Sequence, residues 1–118
     1  MKKSRKKAEW NGRMAEHLVA LFYRIRGYRL LHRRYRCHGG EIDLIMTRRS
    51  TFAFIEVKWR ARADTPLDAV LPGPRQRRRI RAAASHFLAG VGMMEPVCRF
   101  DIVILSGWLN WLIYADTD

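Results

Sequence analysis

At 118 residues, 48% of them hydrophobic, the chain is sized for one domain with one core. Lys and Arg total 23 against 11 Asp and Glu, and the resulting net charge of +12 exceeds what solubility requires, so a polyanionic partner is expected. Only two cysteines occur, Cys37 and Cys98, and the apolar stretch 18–25 is broken by Tyr23 and Arg24. That pattern excludes a disulfide-built scaffold and a membrane span of about 20 apolar residues, and the expected setting is the reduced cytoplasm, with no membrane partner.

Residues 1–7 carry the run Lys-Lys-Ser-Arg-Lys-Lys without apolar anchors. They are expected to form a disordered basic arm ahead of a single domain over 8–118. From Ala8 to Arg26, the residues Ala15, Leu18, Val19, Phe22 and Ile25 recur at helical spacing, and Gly27 is a natural stop. Tyr28 to Arg36 reads as an extended segment ending in the turn Gly39-Gly40. Glu41–Met46 and Phe52–Lys58 alternate cleanly around a polar tip and predict a β-hairpin.

Pro66–Leu71 predicts a short helical turn, and Pro74 opens a helix to about Ala89 with Ile80, Ala83, Ala84, Phe87 and Leu88 inward. Gly90 and Gly92 end it. Phe100–Leu105 reads as a buried strand interrupted by Asp101, and Ser106-Gly107 turns into a last strand, Trp108–Tyr114. The order predicts an α/β domain with one mixed sheet flanked by helices.

Centring the hairpin between Arg49 and Ser50 places Asp43 opposite Glu56 and Glu41 opposite Lys58. Alternation then puts Glu41, Asp43 and Ile45 on one face with Phe52, Phe54, Glu56 and Lys58, and leaves Ile42, Leu44, Met46, Ala53, Ile55 and Val57 on the other. Two carboxylates facing each other at about 5 Å between Cβ atoms repel, and a divalent cation would offset that repulsion. Mg²⁺ suits such a pair, because it takes oxygen ligands from one or two carboxylates and completes its shell with water and phosphate oxygens. Lys58, two residues beyond Glu56, would orient an attacking water and offset transition-state charge. A plain surface charge cluster, with Glu41 pairing Lys58, fits the same pattern.

The strings Gly-Gly-Glu-Ile-Asp-Leu-Ile (39–45), Phe-Ile-Glu-Val-Lys-Trp-Arg (54–60) and Cys-Arg-Phe-Asp-Ile-Val (98–103), with Arg-Met-Ala-Glu (13–16) and Gly27-Tyr28, resemble the uncharacterised bacterial YraN-type family. That family is similar to the PD-(D/E)xK nuclease superfamily, the archaeal Holliday-junction resolvases in particular. The resemblance implies a restriction-endonuclease-like core in αβββαβ order. It makes Asp43 and Glu56 ligands of Mg²⁺ or Mn²⁺, Val57 a further ligand through its carbonyl, Lys58 the catalytic lysine and Glu16 an acid of the first helix facing the site. Two positions depart from the pattern: Gln76 stands where the family's second helix usually has a lysine, which leaves it a supporting role, and Ile42 precedes Asp43 where the superfamily name has proline.

Asp101 requires a partner if buried, and Arg99 or a backbone group is the candidate. Cys37, His38 and His32 lack the paired spacing of a zinc site. Arg33, Arg34 and Arg36 crowd one segment and Arg75, Arg77, Arg78, Arg79 and Arg81 one helix, giving two dense sources of phosphate contacts. Tyr35 and Trp59 beside them suit either base stacking or core packing. The expectation is a metal-dependent endonuclease acting on branched or structured DNA, as a homodimer if the substrate is a two-fold junction. A non-catalytic nucleic-acid-binding module with a nuclease-like fold is the alternative, and a ribosomal-protein-like RNA binder would leave the Asp43, Glu56 and Lys58 grouping unexplained.

Overall fold

A computed structural model describes residues 2–60, 66, 70–92, 95–106 and 111–116, without the side chains of 2–9, 112 and 116. Its elements are α1 (Lys2–Ile25), β1 (Arg29–Cys37), β2 (Gly40–Arg48), β3 (Thr51–Trp59), α2 (Pro74–Ala89), β4 (Val97–Leu105) and β5 (Trp111–Asp116). The sheet order is β1-β2-β3-β4-β5. β3 and β4 are parallel and the other neighbours antiparallel, so α2 is the crossover that a parallel pair requires. This is the expected αβββαβ order with a fifth strand added at the edge. Neither helix is long and apolar enough to cross a membrane.

The first helix begins earlier than expected. Residues 2–7, read as an arm, are helical and continuous with the amphipathic stretch. Lys, Arg and Ala are good helix formers, and no glycine or proline intervenes before Gly12, so the backbone has no local reason to break there. Gly27 ends α1 in the left-handed region at φ 92, where Tyr28 N–H reaches back to the Tyr23 carbonyl at 3.0 Å.

The two helices cover opposite faces of the sheet. Ala15, Val19, Ala20 and Tyr23 of α1 pack on Leu44, Met46, Ala53, Ile55, Val103 and Leu105. Ile80, Ala83 and Ala84 of α2 pack on Ile42, Ile45, Phe52 and Phe54. The central strands are therefore apolar on both sides, which is why 52–55 and 102–105 run without polar interruption. Asp101 is 1% exposed within this layer and is fully engaged: Tyr23 Oη donates to Oδ2 at 2.5 Å and Arg99 Nε to Oδ1 at 3.1 Å. Burial, and then the hydrogen bond to Asp101, raise the Tyr23 pKa, so the hydroxyl stays a donor.

The hairpin register is the expected one from Arg48↔Thr51 to Leu44↔Ile55, and there the ladder stops. The anticipated Asp43–Glu56 and Glu41–Lys58 pairs do not form. β2 is irregular at this point on its other side as well: the β1 ladder passes from Arg33↔Leu44 to Tyr35↔Ile42 without an Arg34–Asp43 pair, and Arg34 has φ 52. The irregularity turns Ile42 away from Leu44 and Met46 and onto the α2 side, contrary to simple alternation. Gly40 shows what holds it there. A Cβ at this position would lie 2.3 Å from the Arg79 carbonyl oxygen, so α2 rests directly on the β2 backbone.

α2 spans the expected Pro74–Ala89, with Gly73 as N-cap and Gly90 as C-cap. The helical turn expected over 66–71 falls largely outside the described residues, since 67–69 are not among them. The same holds for the start of the last strand at Trp108, which is described from Trp111.

Candidate active site

Where β2 leaves β3, the Asp43 side chain takes the place of a backbone ladder bond: its Oδ2 accepts the Val57 N–H at 2.7 Å. Glu56, 8% exposed, lies alongside, close enough for the Asp43 carboxyl to act on its titration. Gln76 Nε2, from the first turn of α2, donates to Glu56 Oε2 at 2.8 Å. The Gly40 contact sets the height of α2 over the sheet, and thereby delivers Gln76 to Glu56. The strand fork brings the two acids together even though the ladder does not pair them.

Burial, then the hydrogen bond and charge of Asp43, push the Glu56 pKa from its ordinary 4.5 up to about 9, against the opposing pull of Lys58 and Gln76. At neutral pH the Glu56 carboxyl therefore keeps its proton. A divalent cation suits the place of that proton, because the donors are hard oxygens and the pair would then carry its full charge. The Val57 N–H points to Asp43, and the N–H and C=O of one strand residue point to the same side, so the Val57 carbonyl also faces this corner. Among the described residues no group of three or more His, Cys, Asp or Glu is arranged to hold a metal. Two carboxylates and a carbonyl, with water or phosphate oxygens completing the shell, match Mg²⁺ or Mn²⁺ and not a closed zinc site.

Glu16 lines the same open cleft as Asp43 and Val57, a space of about 410 Å³ that also receives Arg13, Arg34 and Arg36. Its carboxylate is not joined to the Asp43–Glu56 pair; Arg34 Nε holds both oxygens at 3.3 Å. Lys58 is half-buried and close enough to act on the Glu56 charge. The structure thus brings Asp43, Glu56, Val57, Lys58 and Gln76 together and leaves Glu16 across the cleft.

The arginines fall on two sides of this corner. Arg34 and Arg36 line the cleft, Arg36 lying 3.6 Å from Glu41, while Arg33 meets the His17 ring at 2.5 Å. On α2, Arg75, Arg77, Arg78 and Arg79 are exposed, and the half-buried Arg81 lies 5.9 Å from the Phe100 ring centroid. The first turn of this helix has no acidic residue. Helix N-termini favour negative charge, so arginines here add to the positive end of the dipole. Tyr35 packs edge-on against Phe87 and hydrogen-bonds His86, and Trp59 packs against the α1-side core, so neither ring stands out as a free stacking platform. Arg13 was not singled out from the sequence, although its place one turn before Glu16 put it on the same helix face.

The model of the uncharacterised protein family UPF0102 matches residues 15–105. A UPF0102 protein of Methylocella silvestris is 43% identical over 105 residues, covering 88% of this chain and 83% of its own length. One from Agrobacterium fabrum is 45% identical over 102 residues, covering 84% and 80%, and one from Chlorobium phaeobacteroides is 44% identical over 96, covering 80% and 75%. The matched span runs from the cleft face of α1 to the end of β4 and includes Glu16, Asp43, Glu56, Lys58 and Gln76. The chain belongs to the uncharacterised protein family UPF0102.

Proposed function

We propose that this protein is a divalent-metal-dependent phosphodiesterase that cuts branched or otherwise structured DNA in the cytoplasm. One observation carries the reading: the buried Glu56 and the half-buried Asp43, flanked by Lys58 and Gln76, meet at a strand fork that opens into an arginine-lined cleft. A buried acid beside a second carboxylate is unfavourable unless something uses the charge. Bound Mg²⁺ or Mn²⁺ would supply Lewis-acid polarisation of the phosphate and a nucleophilic water.

Asp43, Glu56 and the Val57 carbonyl would hold that ion. The Lys58 ammonium stands two residues beyond Glu56, where it orients the attacking water and offsets charge building on the phosphate oxygens. Gln76 fixes the rotamer of Glu56 through its 2.8 Å hydrogen bond. Arg34 and Arg36 from β1, and the α2 arginines from the other side, hold the backbone of the substrate. On a two-fold junction the active species would be a homodimer.

Asp43→Asn and Lys58→Ala should abolish cleavage across a panel of linear, flapped and four-way-junction DNAs with Mg²⁺ or Mn²⁺, while leaving DNA affinity largely intact. Equal cleavage by both variants and the parent would sink the assignment. A second reading, a nucleic-acid-binding module without turnover, is favoured by the Glu16–Arg34 pair, which withholds a third carboxylate from the metal corner. Calorimetry separates the two, since tight salt-dependent DNA binding without Mg²⁺ or Mn²⁺ uptake belongs to the second alone.

A further inference from the structure

The opposite end of the sheet carries a basic surface that the proposed centre does not use. The hairpin tip meets the C-terminus of α1 there, and Arg26, Arg29, Arg48 and Arg49 are all exposed. Gly27, Arg48 and Arg49 line two adjoining concave surfaces, one of which also takes in Arg26 and the other Arg29. Among the described residues none of the four arginines pairs with a carboxylate.

Two of these side chains are fixed before any ligand arrives. The Arg26 guanidinium carbon lies 3.7 Å from the Phe22 ring centroid and that of Arg48 lies 4.6 Å from the Tyr28 centroid. Arg48 Nη1 also donates to the Arg26 carbonyl at 2.9 Å, which satisfies the end of α1 and offsets its negative dipole. Among the described residues Arg29 and Arg49 make no such contact, so they can face an anion. Arg49 does so at φ 55, a backbone conformation that suits glycine far better, so arginine stands at a conformational cost at this turn.

The geometry of the strands relates this pole to the centre. Asp43 and Arg48 are five residues apart on β2, about 17 Å at roughly 3.3 Å per residue. Successive phosphates on one duplex strand advance about 3.4 Å along the axis, so the separation is about five nucleotide steps. Between the two ends runs β1, an edge strand that presents the exposed Arg29, Arg33, Arg34 and Arg36. α1 and α2 cover the two faces of the sheet and leave its two edges, of which β1 carries arginines and β5 (Trp111–Asp116) carries none.

We propose that a DNA duplex lies along the β1 edge and that Arg29 and Arg49 anchor its backbone about five nucleotide steps from the scissile phosphate. This rests on the nucleic-acid reading above and extends it to a surface outside the catalytic corner. Basic residues on an edge strand and hairpin tip also discourage strand addition from another chain, and the experiment must tell these roles apart.

The test is the salt dependence of binding, measured in EDTA so that no cleavage enters. Arg29→Gln/Arg49→Gly is compared with the parent on a 30-base-pair duplex and on a four-way junction. Loss of two phosphate contacts should lower the slope of log Kobs against log[salt] by about 2, at roughly 0.9 per phosphate. Thermal melting should show no loss of stability, because glycine relieves position 49, so weaker binding could not be ascribed to unfolding. In the parent, hydroxyl-radical footprinting should show protection reaching about five nucleotides to one side of the cleaved position, and the double variant should lose that flank only. An unchanged slope and footprint would overturn the anchor and leave the catalytic reading standing. Cleavage retained in Asp43→Asn, with the slope and footprint lost in the double variant, would overturn the catalytic reading and uphold the anchor. Failure of the parent to bind DNA would overturn both.

Discussion

Replacing Glu56 by Gln should make the protein more stable at neutral pH, which is the reverse of what removing a buried, hydrogen-bonded side chain usually does. The folded Glu56 carboxyl titrates at about 9 against an ordinary 4.5. Between those values the folded chain binds a proton that the unfolded chain releases, so stability falls as pH rises through the window. At pH 7 the window has been crossed from 4.5 to 7, and at about 1.4 kcal/mol per pH unit the penalty is roughly 3 kcal/mol.

Glutamine is isosteric with the protonated acid. Its carbonyl can accept from Gln76 Nε2, as Glu56 Oε2 does at 2.8 Å, and its amide can donate to Asp43. The variant should therefore melt on the order of 10 °C above the parent at pH 7. The gap should close towards pH 4.5 and stop widening above pH 9. Thermal denaturation across pH 4.5–9, with and without Mg²⁺, reads this directly, and Mg²⁺ should raise the parent's melting temperature more than the variant's. A Glu56→Gln protein that is no more stable than the parent at pH 8, or a gap that does not change with pH, would refute the reasoning.

Tyr23→Phe removes the hydroxyl that donates to the buried Asp101 and leaves Arg99 as its partner, so it should cost about 1.5–3 kcal/mol in urea denaturation without altering DNA affinity. Gly40→Ala places a methyl group 2.3 Å from the Arg79 carbonyl oxygen and 2.7 Å from the Ala83 nitrogen. It should cost at least about 2 kcal/mol and lift Gln76 from Glu56, visible as loss of cleavage together with lower thermal stability.

Features set by neighbours in the chain were legible in the sequence. α2 begins at Pro74 because proline fixes the first helical φ and lacks the N–H that no partner would take, and it ends before Gly90. The hairpin register followed from alternation on either side of a two-residue turn, with Arg48↔Thr51 closing it. The departure of β2 at Asp43 was not legible. It depends on Arg34 holding φ 52 on the neighbouring strand and on α2 pressing against Gly40, contacts between residues distant in sequence that leave no local period. The Glu16–Arg34 pair escaped for the same reason. Asp101 was recognisable as an acid needing a partner if buried, but Tyr23 lies 78 residues away and read only as a break in the apolar stretch 18–25.

The departure of β2 is also what makes the corner chemically distinctive. A ladder carried on past Leu44 would have given the Val57 N–H to a backbone carbonyl and left Asp43 as one more surface acid. With the fork, a side-chain carboxylate takes that donor and is drawn against Glu56, whose carboxyl is thereby held protonated well above the ordinary range. A few residues away, arginines crowd the positive end of α2, where a helix ordinarily prefers acids. The negative pair and the positive crowd are each unfavourable on their own, and they are opposite in sign. A cation alone would relieve the first and an anion alone the second. A phosphodiester brought to a carboxylate-bound divalent ion would relieve both at once, which is the physical argument behind the proposed phosphodiester chemistry.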